Sequence, residues 1–390
     1  MMAQAPLRMF LIAGEPSGDK LGAALMSGLK SLVGNVEFHG IGGPLMQAEG
    51  LVPIFPMDEL SVMGLAEILP RLRGLLARLS QTTQAVLDLR PDALITIDIP
   101  EFSLRVARRV KARAPGLRTI HYVAPTVWAW RPGRAKTMAG SIDHVLALFP
   151  FEPPLMQAAG MSCDFVGHPI VAEPVASPAE AAAFRADHGV PADAPLMLVL
   201  PGSRRSEVAR LAPRFGQAMT PVLARHPDAR LVVPTVAATH ALVHQETALW
   251  TVPPIILPPD AVASKRAAFA AADVALAASG TVSLELAAAA TPMVVAYDMN
   301  WLSYRLIRAL AVVDTVTLVN LVSDTRVVPE FLGPACRPGP IGDALLALLD
   351  DPTSRAAQLA AAEVTMDRLG RGGEAPGLRA ARSVLARLKP

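Results

Sequence analysis

The residues with the clearest chemical potential stand in turns that directly follow short apolar runs. The first of these turns, residues 14–19, reads Gly-Glu-Pro-Ser-Gly-Asp and precedes a helical pattern. Small residues there let a ligand reach backbone N–H groups at a helix N-terminus, whose partial positive charge suits a phosphate or a polar sugar. The same spacing also fits a plain turn in which Ser17 or Asp19 caps the helix.

Asp98 closes the apolar run ALITI, and Pro100 stops the strand that this run predicts. A carboxylate at the end of a buried strand is costly to ionise without a partner. Burial of this kind raises the pKa of a carboxyl and suits it to general-base catalysis. The alternative interpretation is that Asp98 or Ser103 caps the helix that follows.

A third segment, HYVAPTVWAWRPGRAK, places two of the four tryptophans beside three cations. Aromatic rings next to cations can hold an amphiphilic sugar phosphate or line a cleft. Simple packing of Trp128 and Trp130 remains the alternative.

A fourth turn, LPGSRRSEV, follows an apolar run in the second half of the chain. Gly202 allows close approach of the backbone, Ser203 can cap a helix, and Arg204 offers a bidentate donor, so the turn predicts a diphosphate site. It lacks the glycine patterns of nicotinamide folds and of P-loops, which disfavours both classes.

The fifth turn, ASGTVSLE, again joins an apolar run to a helical pattern. Ser279, Gly280 and Thr281 offer amides and hydroxyls to a phosphate. Glu285 lies one helical turn beyond Thr281 and can accept from two ribose hydroxyls. A capping box fits poorly here, because that motif needs a spacing of three rather than four.

Short apolar runs alternate with Ala/Leu-rich helical stretches in two series, one on each side of a proline-rich linker marked by Pro169, Pro174 and Pro178. Nearly continuous apolar strands between helices are typical of parallel sheets covered on both faces. The sequence therefore predicts an α/β fold with two doubly wound Rossmann-like domains facing a cleft. Ligands bind such sheets at the carboxyl ends of the strands, where all five turns fall.

The composition excludes several classes. The 390 residues are 52% hydrophobic and 18% charged, with a net charge of +2. This excludes disorder for most of the chain and gives no nucleic-acid signature. Two cysteines are too few for a disulfide framework. No uncharged apolar run reaches the ~18 residues of a spanning helix, and the apolar stretch at 9–14 is too short for a secretory signal. We therefore expect a cytoplasmic protein.

An apolar cluster at mostly helical spacing, interleaved with arginines, predicts an interfacial helix that dips into an anionic membrane. Its members are Val62, Met63, Leu65, Ile68, Leu69, Leu72, Leu75 and Leu76. An ordinary amphipathic helix against the sheet has the same period, and Pro70 interrupts the pattern, so that alternative stays open.

Eight motifs in colinear order, from about residue 8 to about residue 335, resemble the lipid-A-disaccharide synthase family of GT-B glycosyltransferases. They are IAGEPSGD, GIGGPLM, LSVMGLAEIL, HYVAPTVWAWR, FVGHPIV, LPGSRRSE, ASGTVSLE and VVPEFL. The resemblance implies an inverting transfer of diacylglucosamine from UDP to the 6-hydroxyl of diacylglucosamine 1-phosphate. The products would be the β-1,6 disaccharide of lipid A and UDP.

The resemblance also implies roles for individual residues. Asp98 is the expected base. Acceptor contacts are expected from Glu15, Ser17, Gly18, Asp19, Trp128 and Arg131. Donor contacts are expected from Gly202, Ser203, Arg204, Ser279, Gly280, Thr281, Glu285, Asn320 and Glu330. The chain departs from the family pattern at Ser103, where Asn is usual, and at Gly333, where Gln is common, so no contact is carried over to Gly333.

No Asp-x-Asp triplet occurs in the sequence. We therefore predict no metal and no cofactor, with the helix N-termini at Gly202 and Gly280, together with Arg204, stabilising the diphosphate instead.

The domain assignment follows from these motifs. Residues 1–170 form an acceptor-binding and membrane-contacting domain, and residues 171–350 bind the UDP-sugar. Residues 351–390 are helices that cross back to an N-terminal domain, either within one chain or exchanged in a homodimer. The expected location is peripheral, on the cytoplasmic leaflet of the inner membrane. Two alternatives remain at this point: a GT-B UDP-sugar epimerase, and a nonenzymatic two-lobed sugar-nucleotide binding protein.

Overall fold

The computed structural model describes residues 5–60, 65–129 and 133–388; for residues 65–72, 302, 303, 306 and 307 it describes the backbone. The chain forms two compact units. The first unit comprises Met1–Ala172 and Gly372–Pro390, and the second comprises Glu173–Arg371. The first boundary lies within two residues of the break that the prolines predict at 170.

The first unit is built around a seven-stranded sheet. Its strands are β1 (Leu7–Ala13), β2 (Val36–Ile41), β3 (Val52–Pro53), β4 (Ala93–Ile97), β5 (Arg118–Tyr122), β6 (His144–Ala147) and β7 (Ser162–Phe165). Its helices are α1 (Pro16–Val33), α2 (Pro44–Ala48), α3 (Leu65–Leu89), α4 (Pro100–Arg113), α5 (Gly133–Ala139), α6 (Glu152–Ala158) and α16 (Pro376–Leu388), with 3-10 turns at Met57–Glu59 and Pro169–Ala172. The sheet is parallel throughout, in the order β3-β2-β1-β4-β5-β6-β7.

The second unit repeats this plan with six parallel strands. They are β8 (Leu196–Leu200), β9 (Arg230–Pro234), β10 (Ile255–Leu257), β11 (Val274–Ala277), β12 (Met293–Tyr297) and β13 (Glu330–Leu332), in the order β10-β9-β8-β11-β12-β13. The helices are α7 (Pro178–Asp187), α8 (Arg205–Arg225), α9 (His240–Thr247), α10 (Val262–Ala271), α11 (Val282–Ala288), α12 (Trp301–Leu310), α13 (Leu318–Ser323), α14 (Pro338–Asp350) and α15 (Pro352–Arg368), with a 3-10 turn at Gly333–Ala335.

Full burial of the central strands explains why their sequences read as continuous apolar runs. Every residue of β4, β8 and β11 is buried, because helices cover both faces of each sheet. In the second unit, α8 and α14 cover one face and contribute Phe215, Met219 and Leu345 to its core. The predicted α/β fold with two doubly wound sheets is confirmed.

The strand order reverses once in each sheet. In the first unit the reversal lies between β1 and β4, and in the second it lies between β8 and β11. Open α/β sheets bind ligands at such switch points, outside the carboxyl ends of the strands. The turns after these four strands are therefore the positions where each unit would hold a ligand.

The segment from residue 351 divides between the two units. Helix α15 packs on α11 and α13 of the second unit, whereas α16 packs along α1 of the first. The contact between α1 and α16 is close, since a Cβ added at Gly28 would lie 2.7 Å from the carbonyl oxygen of Gly377. At the other end of α16, Ser383 donates to Asp164 on β7 at 2.7 Å. The crossing element is thus α16 alone.

Candidate active site

The switch point of the first unit brings together the turns after β1 and β4. Ala13 pairs with Ile97 at the ends of the two strands. A Cβ added at Gly14 would lie 2.5 Å from Cδ1 of Ile99, so the absence of a side chain at Gly14 lets Ile99 pack against this turn. Ser17 is exposed at the start of α1, and Glu15 is the N-cap residue, in extended backbone and with no side-chain cap.

Asp98 and Ile99 both adopt left-handed backbone, with φ of +52° and +39°. Backbone strain of this kind costs free energy and is concentrated at functional sites. Hydrogen bonds hold the turn: Asp98 N donates to Tyr122 O at 3.0 Å, and Ser103 Oγ donates to Asp98 O at 3.0 Å. Ile99 is the N-cap residue of α4, which has no side-chain cap, so the Asp98 carboxylate does not serve as one.

The environment of Asp98 raises the pKa of its carboxyl. Burial is the main cause, and a hydrogen bond with the backbone of Ile99 opposes it. A half-buried carboxylate of raised pKa, on a strained turn at the switch point, has the properties of a general base.

Two residues expected to touch the acceptor, Asp19 and Gly18, are buried and have contacts within the first unit. Asp19 is 2% exposed, and its carboxylate accepts from the backbone N–H groups of Gly43, Leu45 and Met46 at 2.8–3.0 Å. Asp19, which lies on α1, thus caps the N-terminus of α2. Gly18 is buried, and a Cβ added there would meet Ala13 and Ile97 of the sheet. The Asp19 carboxylate is therefore engaged within the first unit, and Gly18 has no side chain to offer a ligand.

Trp128 is fixed by a buried carboxylate that sequence reasoning missed. Its indole Nε1 donates to Glu152 Oε1 at 3.2 Å, while Glu152 Oε2 accepts from the backbone of Leu148 and Phe149 at 3.0 Å. The ring meets Phe151 edge to face at 5.4 Å. Burial raises the pKa of Glu152 to about 7, against the opposing effect of these hydrogen bonds. Trp128 is half-buried; Trp130 and Arg131 lie outside the described residues.

The switch point of the second unit contains the turn 201–204. Gly202 has φ of +108°, and a Cβ there would lie 2.6 Å from a Glu207 carboxylate oxygen, so only glycine fits. Glu207 Oε2 accepts from the amides of Ser203 and Arg204 at 3.1 and 3.2 Å. Its Oε1 accepts from Arg204 Nη1 at 2.9 Å and from the Tyr297 hydroxyl at 3.3 Å.

These donors form an anion site that an internal carboxylate occupies. Two successive amides, a guanidinium and a phenol converge on Glu207, which is 11% exposed, whereas the side chain of Arg204 is 62% exposed. Sequence reasoning placed a diphosphate at this turn but missed Glu207 and Tyr297. Glu207 at the end of the motif LPGSRRSE could have indicated this contact, since a Glu three residues after an N-cap is a known capping pattern.

The turn after β11 lies beside this anion site. Ala277 pairs with Leu200, and Ala278 N donates to Leu200 O at 2.8 Å. Ser279 is half-buried, Gly280 and Thr281 are exposed, and α11 has no side-chain cap. Glu285 Oε2 accepts from Lys265 Nζ at 2.7 Å, and 39% of the Glu285 side chain is exposed.

Asn320 and Glu330, both expected to contact the donor, are occupied within the protein. Asn320 is buried and exchanges hydrogen bonds with the backbone of Val328 in both directions, at 3.0 Å each. Glu330 Oε1 accepts from Thr315 Oγ1 and from the backbone of Val316 and Thr317. The Glu330 contacts hold the segment before α13 and the Asn320 contacts hold the segment after it, which gives both residues a structural role.

The predicted interfacial segment falls partly on α3. Val62 and Met63 lie outside the described residues, and nothing is described of the side chains of Leu65, Ile68, Leu69 and Leu72. Leu75 is half-buried and Leu76 is 44% exposed, whereas Leu79 and Val86 further along α3 are buried. Arg78 is paired with Glu59, through two bonds of 2.7 Å.

Two features are absent from the part of the chain that the structure describes. No helix there is long and apolar enough to cross a membrane. Within the same residues, no three His, Cys, Asp or Glu side chains come together as a metal site would require.

Solved structures share this two-sheet plan. A UDP-GlcNAc 2-epimerase from Neisseria meningitidis, bound to UDP-GlcNAc, has a TM-score of 0.63 at 10% identity, with 98% of both chains covered. MurG from Acinetobacter baumannii has a TM-score of 0.56 at 15% identity, with 99% of both chains covered. Identities this low show the fold alone. The fold is that of the GT-B class.

Sequence similarity is far more specific. Residues 9–373 match the family described as lipid-A-disaccharide synthetase. A lipid-A-disaccharide synthase of Ruegeria pomeroyi is 60% identical over 388 residues, covering 98% of this chain and 96% of that protein. One from Rhodospirillum centenum is 49% identical over 381 residues, covering 97% and 94%.

The chain belongs to the lipid-A-disaccharide synthase family, as the eight motifs indicate, and it is a glycosyltransferase. The interpretation as a nonenzymatic binding protein is therefore wrong. Epimerases share only the fold with this chain, so the epimerase alternative is not supported either.

Proposed function

We propose that this enzyme transfers a diacylated glucosamine from UDP to the 6-hydroxyl of a diacylated glucosamine 1-phosphate, with inversion at the anomeric carbon. The products are the β-1,6-linked disaccharide of lipid A and UDP. Family membership supports the class of reaction, and the position and environment of Asp98 are the observation that carries the mechanism.

Asp98 acts as the base in this proposal. Its half-buried carboxylate has a raised pKa and is not used as a helix cap. It takes the proton of the acceptor 6-hydroxyl while that oxygen attacks the anomeric carbon from the face opposite the leaving UDP. Attack from that face inverts the configuration, and the bond to the diphosphate breaks as the new glycosidic bond forms.

The turn 201–204 stabilises the leaving diphosphate. The amides of Ser203 and Arg204 already hold a carboxylate, and oxygens of a phosphate have the same requirement for donors. Arg204 adds a largely exposed guanidinium that can bind two phosphate oxygens. Ser279 and Thr281 supply hydroxyls from the neighbouring turn, and Glu285 accepts from the ribose hydroxyls. No step in this scheme calls for a metal ion, so activity should survive exhaustive EDTA treatment.

The acceptor is held in the first unit by Trp128, with Glu15, Ser17 and Arg131 as further proposed contacts. The carboxylate of Glu152 and the ring of Phe151 fix the orientation of the indole. A fixed, half-buried aromatic ring suits the apolar face of a sugar. We place the enzyme peripherally on the cytoplasmic leaflet of the inner membrane, with the start of α3 as the contact, and we propose a homodimer.

Product analysis tests the function directly. The full chain is incubated with UDP-diacylglucosamine and diacylglucosamine 1-phosphate, and mass spectrometry is used to find the disaccharide 1-phosphate. UDP release should require the acylated acceptor. Epimerised UDP-sugar formed without acceptor, or no disaccharide under any condition, would contradict the proposal. Asp98→Asn serves as the inactive reference, with UDP binding checked by calorimetry.

A further inference from the structure

A basic pocket lies between α4 and α5 in the first unit, outside the residues assigned so far. Its cavity volume is about 610 Å³, within the ~300–1,000 Å³ of small-molecule sites. The residues that define its character are Pro100, Glu101, Leu104, Arg105, Arg108 and Arg134. Three guanidinium groups and one carboxylate thus face the same space.

The cations of this pocket differ in whether they are paired. Arg134 forms an ion pair with Glu101 across the pocket. Arg105 and Arg108 are exposed on α4, and neither has an ion-pair or hydrogen-bond partner among the described residues. They stand three residues apart, so their side chains are neighbours on one face of the helix. Two unpaired guanidinium groups side by side form a site for a dianion.

The pocket begins next to the proposed base. Pro100 lines its near end and is two residues from Asp98. An α-helix rises ~1.5 Å per residue, so Arg105 and Arg108 lie about 7.5 and 12 Å along the helix axis from Pro100. Side chains on a helix tilt toward its N-terminus, which brings both guanidinium groups back toward Asp98. Between the base and the arginines, Pro100 and Leu104 provide an apolar wall.

We infer that this pocket binds the phosphate monoester of the acceptor substrate. This inference rests on the proposed function, in which one sugar presents a hydroxyl to the base and carries a phosphate elsewhere on its ring. Arg105 and Arg108 hold the phosphate and thereby direct the 6-hydroxyl toward Asp98. The role also adds a cationic contact for the acceptor, because the Asp19 carboxylate at the neighbouring turn is already engaged by backbone amides.

The test compares Arg105→Gln/Arg108→Gln with Arg113→Gln, which removes an exposed charge from the last turn of α4 without touching the pocket. The double variant should raise the KM for the acceptor at least tenfold, or about 1.4 kcal/mol, and leave the KM for the UDP-sugar unchanged. Arg113→Gln should change neither. Arg105→Lys/Arg108→Lys should recover part of the loss, since the charge is restored without the bidentate geometry.

Direct binding supplies a readout that is independent of turnover. Calorimetry with detergent-dispersed diacylglucosamine 1-phosphate should show weaker binding to the double variant. The same lipid without its phosphate should bind wild type and variant equally. A thermal melt that matches wild type establishes that the double variant folds. If it does not fold, the acceptor KM and the lipid binding are measured on Arg105→Lys/Arg108→Lys instead.

Three results would overturn the inference. One is an unchanged acceptor KM in the double variant, while wild type forms disaccharide. Another is an equal loss for the phosphate-free lipid. The third is a loss confined to flotation with phosphatidylglycerol vesicles, which would make the arginines a general headgroup contact. Failure of the proposed function can be distinguished from these three results, because the wild type itself would then form no disaccharide.

Discussion

The Asp98 carboxylate must be ionised to take a proton, and burial raises its pKa above the usual carboxyl value. We therefore expect kcat/KM to rise with pH through that raised pKa, giving an acid limb in the pH profile. Asp98→Asn should lower turnover at least about a hundredfold, the lower end of the ~10²–10⁴ range for general-base catalysis. UDP release measured from about pH 4.5 to about pH 8 checks both points.

Residual activity of Asp98→Asn is the informative control. If the variant keeps the acid limb of the wild type, another group titrates there. Near-normal turnover would remove Asp98 from the role of base altogether.

Glu152 makes the stability of the protein depend on pH. Burial raises its pKa from 4.5 to about 7, so the folded protein binds more protons than the unfolded chain between these values. Stability from this group is therefore present below pH 4.5 and falls as pH rises through that window. The Tm of wild type minus that of Glu152→Gln should decrease from pH 4.5 to pH 7 by thermal melts. A difference that stays constant with pH would contradict this reading.

Local spacing identified Asp98 because a carboxylate at the end of an apolar strand stands out in the sequence. It could not identify what Asp19, Asn320 and Glu330 do. Each uses its side chain to satisfy backbone groups of another segment, such as the amides of α2 for Asp19. Pairings of that kind depend on the tertiary fold, and the residues around these positions do not predict them.

At the start of α8, the Glu207 carboxylate would compete with the proposed diphosphate for the same donors. Glu207→Gln removes the charge while keeping an oxygen that can accept from the two amides. We expect UDP to bind roughly tenfold more tightly to this variant by calorimetry, about 1.4 kcal/mol. Arg204→Ala, by contrast, should weaken UDP binding by ~1.5–3 kcal/mol, the range for hydrogen bonds to charged groups.

Weaker UDP binding to Glu207→Gln would mean that the carboxylate acts only as a helix cap that shapes the turn. Melts of the same variant address that case, because loss of a cap costs ~0.5–2 kcal/mol.

The packing of α16 on α1 depends on small residues. Since a Cβ at Gly28 would lie 2.7 Å from a backbone oxygen of α16, Gly28→Ala should destabilise the protein by ~1–3 kcal/mol, as expected for overpacking. Gly74→Ala on α3 is the matched control, because nothing lies within 4 Å of its added Cβ. That change should stabilise the helix slightly. Urea denaturation measures both, and equal effects would show that the close contact does not matter.

The proposed association with a membrane concerns the whole protein, and the exposed residue Leu76 provides a test. Leu76→Ser should reduce co-flotation with anionic vesicles and change the Tm little, because the residue is already 44% exposed. Leu79, one turn further along α3, is buried, so Leu79→Ala should cost ~2–5 kcal/mol of stability. If Leu76→Ser destabilises as much, this part of α3 belongs to the core.

The plan of the molecule was the part most open to prediction. Continuous apolar runs indicate buried parallel strands, and the prolines near residue 170 indicate the break between the units. The division at 371 was harder to see, because α15 and α16 have similar Ala/Arg/Leu composition yet pack on different units. The helical period of apolar residues predicts that a helix has an apolar face, but it does not predict which element covers that face.

The return of α16 to the first unit affects how the chain is made. A ribosome releases β1 to β7 early, yet the groove along α1 stays uncovered until residues 376–388 have been synthesised. The whole second unit, Glu173–Arg371, emerges in the interval and has all its own strands before the first unit has its last helix. We therefore expect the first unit to complete its folding after the second, since the face of α1 that α16 covers has no partner until the end of the chain is made.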